Sequence, residues 1–445
     1  MSARPITLDA SPASAAASWP AAMPLAAWWA GDAQARWSIL ARPSRLASAA
    51  EARDRLARPL PASSGDGPPF TGGLLGALSY DAGRTLEPIA QSPDPPRDDR
   101  RWPDHLWLHC PDALVHDAAT GQWWSVGDGA SLALALAPRP ATPVHVGPLR
   151  SSMSRTAYLA AVHRVLEYIR AGDVYQVNLA HCLTAPFRGS ARALWLALGD
   201  VARPRFGAYL EADLGPRRLA LASASPELFL HFDPASRRLA TRPMKGTRPD
   251  TPGADADLLA SPKDRAELAM IVDLLRNDLG RACDLGSVRV DDPRRLEYHG
   301  GDRGRALWQT TALVSGRVRD GASALDLLAA TFPGGSITGA PKIRAMQIID
   351  ELEPVRRGPY CGAVGYFSDS GHAAFNIAIR TAAIAGQPDG DARDAIRGQL
   401  DWGVGAGIVA ESDPAAEWDE TLAKSGVLRA ALAALARHAD TECPA

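Results

Sequence analysis

The stretch TFPGGSITGAPK, Thr331–Lys342, decides how the C-terminal half of this 445-residue chain is interpreted. It is a glycine-rich turn that leads into a predicted helix, since apolar residues recur at helical spacing over Ile343–Leu352. Turns of this kind bind anions through their backbone N–H groups. A phosphate-binding loop would need Lys-Ser/Thr after its last glycine, but Ala-Pro follows Gly339. We therefore expect Thr338 and Gly339 to contact a carboxylate ligand, unless the turn is purely structural.

Working outward from this stretch, the composition excludes several classes of protein. The apolar fraction of 46% and the charged fraction of 22% are ordinary for a globular protein, and a net charge of -2 gives no footprint for nucleic acid. No signal peptide and no membrane-spanning apolar stretch is recognised. The scattered cysteines predict neither a zinc site nor a disulfide framework, which suits a reducing cytoplasm: Cys110, Cys182, Cys283, Cys361 and Cys443.

Composition and the periodicity of apolar residues divide the chain into three parts. Residues 1–147 form an N-terminal region that is rich in Ala, Pro and Trp and has weak periodicity. Helical patterns alternate with strand patterns in residues 148–435, the predicted catalytic region, and residues 436–445 form a tail. Within the second part, Ala385–Arg393 resembles a hairpin loop between two strands. The length favours two domains or one large composite domain.

Two amide side chains are predicted to share one face of a strand. An amphipathic helix is expected over Ser154–Arg170, with Ser154 as its cap, and a strand over Val174–Leu179 follows it. Gln176 and Asn178 are two residues apart on that strand, so both point to the same side. Such a face suits recognition of a polar small molecule, although cross-strand amide pairing is about as good an explanation.

Lys245 and Glu227 are the candidate catalytic residues. Lys245 lies in TRPMKGTRP, Thr241–Pro249, which we interpret as a loop held by prolines and a glycine. A lysine fixed in this way can act as a nucleophile if its amine is kept partly neutral, whereas an isolated lysine is usually solvated. Glu227 follows Pro226 between apolar strands, where a raised pKa would suit an acid or base. A turn glutamate that caps a neighbouring element is the alternative.

Three glutamates on two predicted helices could hold magnesium. Glu267 lies on the apolar face of a helix over Asp264–Gly280. A second helix begins at Asp413, which is followed by proline at the first helical position. It carries three charged residues on one face: Glu417, Glu420 and Lys424. Few carboxylates with exchangeable waters suit Mg²⁺, but a surface ladder with an ordinary Glu420–Lys424 ion pair explains the spacing equally simply.

Further segments could bind a carboxylate substrate. The glycines of Gly403–Gly407 would let a substrate approach the backbone closely. Arg380 ends a strand-like run, and its guanidinium could bind a carboxylate through two hydrogen bonds. Together the residues suggest a dicarboxylate substrate, a divalent metal, an acid/base glutamate and an activated lysine.

The motifs resemble those of the chorismate-utilising enzymes over roughly 154–430. The matching runs are GDVYQVNL, SASPELF, RPMKGTRP, AELAMIVDLLRNDLGR, FPGGSITGAPKIRAMQIIDELEP, GPYCGAVGY, IAIRT and GVGAGIVAESDPAAEWDETLAK. Phe70–Gly76, together with Tyr80 and Asp81, is similar to the amino-terminal part of the same enzymes. The resemblance implies an α+β fold, with two large antiparallel β-sheets in a sandwich flanked by helices, to which the N-terminal region contributes.

The resemblance also implies an activity. A lysine at position 245, where relatives that aminate C2 carry a small residue, favours amination of chorismate at C4. The implied magnesium ligands are Glu267 and Glu420 with Glu417 nearby. The groups expected to orient the substrate carboxylates are Arg380, Lys424 and the backbone of Gly405, Ala406 and Gly407. The chain lacks a Gly-x-Cys-x-Gly glutaminase elbow, so ammonia is expected from a glutamine amidotransferase on another polypeptide. Amination at C2 and a non-catalytic chorismate-binding subunit are the alternatives.

Two glutamines and one missing motif refine this expectation. Gln176 stands where isochorismate and salicylate synthases place a lysine that activates water, which argues against water as the nucleophile. Gln309 stands where many relatives have a histidine, and its amide can still donate to a leaving hydroxyl group. A Leu-Leu-Glu-Ser run, which marks feedback inhibition by tryptophan, is absent near Trp37–Leu40.

Overall fold

Two antiparallel β-sheets form the centre of the computed structural model, which describes residues 3–30, 35–61, 67–88, 95–139, 142–299 and 307–441. The helices in these ranges are α1 Pro12–Ala17, α2 Ala49–Leu56, α3 Gly83–Leu86, α4 Gly129–Ala135, α5 Arg155–Arg170, α6 Ala191–Ala202, α7 Ala254–Ala260, α8 Pro262–Gly280, α9 Ala324–Thr331, α10 Lys342–Leu352, α11 Pro414–Ala423 and α12 Gly426–Thr441.

The strands cover both halves of the chain. Their bounds are β1 Arg4–Ile6, β2 Ala26–Ala30, β3 Trp37–Arg42, β4 Arg45–Leu46, β5 Gly73–Leu78, β6 His105–Cys110, β7 Asp112–Asp117, β8 Trp123–Val126, β9 Val144–Val146, β10 Arg150–Ser151, β11 Gln176–Ser190, β12 Phe206–Leu214, β13 Arg217–Ser223, β14 Leu228–Asp233, β15 Arg238–Arg242, β16 Met244–Pro249, β17 Arg289–His299, β18 Leu307–Arg317, β19 Gly339–Ala340, β20 Ala363–Ser368, β21 Ala373–Ile377, β22 Thr381–Pro388 and β23 Ala395–Ile408.

Both sheets combine strands from distant parts of the sequence. The larger has the order β1-β8-β7-β3-β2-β12-β13-β22-β23-β11-β10, with β9 and β19 also pairing with β11. The smaller has the order β16-β18-β15-β14-β21-β20-β5-β6-β4, with β17 pairing with β18. The expected α+β fold with two large antiparallel sheets is confirmed, and strands that precede residue 148 belong to both sheets.

Apolar side chains from the two sheets pack against each other in a sandwich. One buried cluster contains Trp28 and Leu210 of the larger sheet together with Leu75 and Val364 of the smaller. Two further clusters lie under the helices: one includes residues of α5, α8 and α10, and the other includes residues of α6 and α12. The helices therefore cover the faces that the sheets do not bury against each other.

Local capping signals predicted two helix starts correctly. At α5, the Ser154 hydroxyl group accepts a hydrogen bond from the backbone N–H of Ala157 at 3.1 Å. At α11, the Asp413 carboxylate accepts from the N–H of Ala416 at 2.8 Å, and Pro414 occupies the first helical position. Each cap satisfies a backbone donor that the first helical turn leaves open.

One loop prediction was wrong, and a second loop is shorter than expected although its hairpin is confirmed. The expected loop around Lys245 is mostly strand β16, because Met244–Pro249 pairs with β18, and a bulge occurs between Lys245 and Thr247. The expected hairpin loop Ala385–Arg393 is shorter, because β22 continues to Pro388 and pairs with β23. Around Lys245 a strand partner distant in sequence overrides the local preference of Gly and Pro for turns, whereas β22 and β23 are neighbours in sequence and form the expected hairpin.

Three further observations concern the C-terminal end of the chain, its cysteines and the length of its helices. Helix α12 continues to Thr441, past the start of the expected tail at residue 436, and residues 442–445 lie outside the described ranges. Four cysteines are buried and free, whereas Cys443 is outside those ranges. In the described part of the chain, no helix is both long and apolar enough to cross a membrane.

Candidate active site

A cavity of about 590 Å³ opens where β11 and β23 of the larger sheet approach β14, β16 and β18 of the smaller sheet. Helices α8 and α11 form its remaining wall. The structure brings ten of the predicted site residues to this cavity: Glu227, Lys245, Glu267, Gln309, Arg380, Gly405, Gly407, Glu417, Glu420 and Lys424. A cavity of this size suits a small organic ligand.

Four predicted residues do not line the cavity. Ala406 is fully buried and points to the opposite side of β23 from its neighbours Gly405 and Gly407, as strand alternation requires. The Thr338 hydroxyl group donates to the carbonyl oxygen of Gly334 at 3.0 Å. A Cβ atom at Gly339 would lie only 2.1 Å from the backbone oxygen of Gln176, so this glycine permits β19 to pair with β11.

The fourth of these, Gln176, is fully buried directly behind the cavity wall. A Cβ atom placed on Gly407 would lie 3.4 Å from Cδ of Gln176 and 3.2 Å from Nζ of Lys245. The missing side chain at Gly407 therefore leaves the space in which the amide and the amine approach each other. This is a close-approach role for glycine.

Lys245 is held rigidly by the pairing of β16 with β18. Its backbone oxygen accepts a hydrogen bond from the Thr310 hydroxyl group at 2.5 Å, and its Cα faces that of Thr310 in the register. The side chain is half-buried because it faces the cavity. Burial lowers the pKa of the Lys245 amine, and Lys424 lowers it further, against the opposing charge of Glu267. A larger fraction of the amine is therefore neutral and nucleophilic.

Glu227 is a buried carboxyl group between β13 and β14. It is 5% exposed, and its Oε1 atom accepts a hydrogen bond from the Ser336 hydroxyl group at 2.6 Å. Burial raises the pKa of Glu227 to about 7, although Ser336, Lys245 and Arg380 partly oppose this rise. The group can therefore give up or take a proton near neutral pH, which a general acid or base must do.

Three carboxylates from two helices line one side of the cavity. Glu267 of α8 lies 3.9 Å from Lys263 Nζ, and the Ser412 hydroxyl group donates to Glu417 at 2.6 Å. Burial raises the pKa of Glu267 and of Glu417, and the charge of Glu420 contributes to the rise in both. Burial would also raise the pKa of Glu420, but the charge and hydrogen bond of Lys424 outweigh it and lower this pKa.

These carboxylates fit a hard divalent cation by their chemistry. They are oxygen donors that repel one another across a shared cavity, so a cation between them would remove that repulsion. Among the described residues, no three His, Cys, Asp or Glu side chains are already grouped closely enough to hold a metal by themselves. Water and substrate oxygens would have to complete the ligand set, as Mg²⁺ commonly requires.

Two cationic side chains also line the cavity, and one of them, Lys424, pairs with Glu420 of α11. Arg380 has a left-handed backbone conformation with φ of 49°, and burial lowers the pKa of its guanidinium. In the described part of the chain it forms no ion pair, so it remains able to bind an anion. Lys424 Nζ donates to the carbonyl oxygen of Gly405 at 2.7 Å and contacts Glu420 Oε1 at 2.8 Å.

Sequence reasoning missed several cavity residues. Ser336 and Tyr360 line the cavity, but neither stood out in the sequence; Ser336 lies in the same glycine-rich turn as the expected Thr338. Asn178 also lines it, and its face with Gln176 was the available signal. Buried amide atoms without a hydrogen-bond partner among the described residues include Nδ2 of Asn178, Oε1 of Gln309 and both polar atoms of Gln176. Such atoms normally have partners, and those of Asn178 and Gln309, which line the cavity, are available to a polar ligand.

Comparisons with known proteins agree with this geometry. A family model described as chorismate binding enzyme matches residues 24–430. Aminodeoxychorismate synthase component 1 of Klebsiella aerogenes is 39% identical over 368 residues, which cover 80% of this chain and 76% of the relative. An anthranilate synthase component 1 of Haloarcula marismortui is 39% identical over 409 residues, covering 84% and 78%. Relatives with two different names are thus equally similar.

Solved structures share the fold. Anthranilate synthase component I of Streptococcus pneumoniae superimposes with a TM-score of 0.71 at 25% identity, covering 88% of this chain and 92% of the other. The menaquinone-specific isochorismate synthase of Escherichia coli gives a TM-score of 0.70 at 19% identity, covering 97% and 94%.

Proposed function

The chain belongs to the family of chorismate-binding enzymes, and from this premise we propose that it replaces the C4 hydroxyl group of chorismate with an amino group. This is the reaction of an aminodeoxychorismate synthase component 1, and its product, 4-amino-4-deoxychorismate, leads to 4-aminobenzoate and folate. The proposal places the enzyme in the cytoplasm.

One observation carries the proposal: Lys245 extends into the cavity with a lowered pKa, on the same cavity wall as Glu227, whose pKa is raised. A nucleophile and a proton donor are the two groups that displacement of a hydroxyl group requires. Amination at C2 by direct attack of ammonia would not need the lysine.

In the first step the neutral amine of Lys245 forms a bond to C2 of chorismate. The two ring double bonds shift, the C4–O bond breaks, and the hydroxyl group leaves as water with the proton of Glu227. The new secondary ammonium then returns a proton to the Glu227 carboxylate. The intermediate is a dehydrated chorismate bound to Lys245.

In the second step ammonia attacks C4 and the double bonds shift back. The bond between C2 and Lys245 breaks, and the lysine nitrogen takes up a proton lost by the incoming ammonium. Chorismate and ammonia are thereby converted into aminodeoxychorismate and water, and Lys245 and Glu227 return to their starting protonation states.

The remaining residues bind and orient the substrate. Arg380 and Lys424 would pair with carboxylates, and the backbone of Gly405 and Gly407 lets the ring approach β23. The amides of Asn178 and Gln309 would hydrogen-bond polar groups of the ring. Magnesium held by Glu267, Glu417 and Glu420 would supply a positive charge for the ring carboxylate, as relatives in this family imply.

A second polypeptide would supply the ammonia. Ammonia in neutral water is mostly ammonium, which has no lone pair for the attack on C4. A glutamine amidotransferase that releases ammonia next to the cavity would avoid this loss.

Product identification tests the proposal. The purified chain is incubated with chorismate, MgCl₂ and ammonium sulfate at alkaline pH, and the products are separated and identified by mass and fluorescence. We expect aminodeoxychorismate with no release of pyruvate. Anthranilate and pyruvate would instead identify the enzyme as an anthranilate synthase, and no turnover would favour a non-catalytic chorismate-binding subunit.

A further inference from the structure

A continuous chain of hydrogen bonds connects strand β10 to helix α11 through one buried histidine. Ser151 Oγ accepts from the backbone N–H of Met153 at 3.1 Å and lies 2.9 Å from Nδ1 of His181. On the other side of the ring, Nε2 of His181 lies 2.9 Å from the hydroxyl oxygen of Thr421. That hydroxyl group is 2.7 Å from the carbonyl oxygen of Trp418, one turn earlier in α11.

The contacts of Thr421 determine the tautomer of the histidine. The Thr421 hydroxyl group has a single proton, which it donates to the carbonyl oxygen of Trp418. Its oxygen therefore accepts from His181, so Nε2 carries the hydrogen and Nδ1 accepts from the Ser151 hydroxyl group. In this arrangement every donor proton of the hydrogen-bond network has an acceptor. Burial lowers the pKa of His181 to about 4, so the ring is neutral at neutral pH, as the arrangement requires.

The histidine is also clamped by aromatic rings. His181 is 4% exposed, and its ring stacks on that of Trp418 at a centroid distance of 4.9 Å and an interplanar angle of 18°. Tyr158 of α5 packs against both rings, at 5.5 Å from His181 and 5.4 Å from Trp418. Since the histidine belongs to β11, α11 is attached at this point both to the larger sheet and to α5.

The attachment lies next to the carboxylates of the cavity. Thr421 directly follows Glu420 and is one helical turn from Glu417, so a rotation of α11 that breaks the His181 contact also turns both carboxylates. Side chains that fix the orientation of a metal ligand, without contacting the metal themselves, commonly control metal affinity.

We propose that His181 is a positioning residue, which holds α11 in the rotation that directs Glu417 and Glu420 into the cavity. The inference rests on the magnesium site of the proposed function. His181 does not line the cavity, but it contributes measurably to the affinity for the metal.

Binding of Mn²⁺, followed by electron paramagnetic resonance in the absence of chorismate, tests the inference without reference to the reaction. His181→Leu and Thr421→Val should each weaken Mn²⁺ binding by about tenfold or more, as is typical for groups behind metal ligands. His181→Gln, whose amide can still donate to Thr421, should bind within about threefold of the wild type. The double variant His181→Leu/Thr421→Val should bind Mn²⁺ no more weakly than the more impaired of the two single variants, because the two substitutions remove the same hydrogen bond.

His109→Leu is the matched control, since His109 also bonds a serine, Ser44, but lies on β6 away from the cavity. It should bind Mn²⁺ like the wild type. If His181→Leu does not fold, which thermal unfolding will reveal, Thr421→Val decides alone. Wild-type affinity in a folded Thr421→Val would overturn the inference and leave the proposed metal site intact. A wild type that binds no Mn²⁺ even after chorismate is added, so that substrate oxygens can complete the ligand set, would overturn both.

Discussion

Glu227 illustrates at the scale of one residue how burial of an acidic group lowers stability. Its pKa is raised from 4.5 in the unfolded chain to about 7 in the fold, chiefly by burial. The native state therefore binds the proton more tightly, so its stability falls as the pH rises from 4.5 to 7 and stays low above 7. The shift corresponds to about 3 kcal/mol.

Glu227→Gln should remove this pH dependence, because the amide cannot ionise but can still accept from Ser336. The free energy of unfolding of the variant, relative to the wild type, should rise by up to about 3 kcal/mol between pH 4.5 and pH 8. Urea denaturation of both proteins at the two pH values measures it. Parallel pH profiles would show that Glu227 does not titrate with a raised pKa.

Gly407→Ala tests the space shared by Lys245 and Gln176. The added methyl group would lie 3.2 Å from the lysine amine, which must then move by a few tenths of an ångström. We expect turnover with ammonium to fall by about tenfold or more, because small displacements of a nucleophile are costly. Gly426→Ala is the control, since its Cβ would meet no atom within 4 Å. Equal activity of both variants would contradict a close approach at Gly407.

Individual site residues were predictable where their chemistry conflicts with their surroundings. Glu227 after a proline and Glu267 on an apolar face are charged groups in apolar contexts, and both line the cavity. Tyr360 gave no such signal, because a buried tyrosine looks the same in a core and in a cavity wall. Ala406 was included with its glycine neighbours, and only the alternation of β23 separates it from them.

At the scale of secondary structure, α8 and α11 place their acids on the same side of one cavity. We expect Glu420→Gln to abolish magnesium-dependent turnover while the thermal unfolding temperature changes little, because 53% of this side chain is exposed and it faces the open cavity rather than the core. Asp419→Asn is the matched control, since it removes the same charge from the adjacent exposed position, which does not line the cavity. Near wild-type activity of Glu420→Gln would refute its assignment as a metal ligand.

Elements with local signals were predicted well, and elements defined by distant partners were not. Ser154 and Asp413 begin α5 and α11 through caps that lie within a few residues. By contrast, the local sequence of β16 contains Pro and Gly and predicts a loop. The segment forms a strand because β18, more than fifty residues later, pairs with it. This pairing fixes the backbone of Lys245 beside the cavity.

At the scale of the whole molecule, the two sheets interleave distant segments, so their order could not be derived from local patterns. Strand β2 lies beside β12, and β5 lies beside β20. These contacts join residues before position 148 to the rest of the protein in both sheets. The sandwich was expected from the resemblance of the motifs to a family, and propensity alone did not provide it.

This interleaving predicts one cooperative unit. A fragment of residues 148–445 would expose the edges of β12 and β20, where β2 and β5 are paired in the full chain, and should fail to fold. Calorimetry of the full chain should show a single unfolding transition, whereas circular dichroism of the fragment should show no cooperative melt. A fragment that unfolds cooperatively would establish the second region as an independent domain.

The proposed reaction depends on a covalent bond between Lys245 and the substrate ring. The most direct measurement is peptide mass spectrometry of the protein after incubation with chorismate and MgCl₂ in the absence of ammonia, with Lys245→Ala as the control. We expect the peptide containing Lys245 to gain the mass of chorismate less one water in the wild type, and the variant to show neither this adduct nor C4 amination when ammonium is added. An unmodified wild-type peptide, together with unimpaired C4 amination by Lys245→Ala, would contradict the nucleophilic role of Lys245.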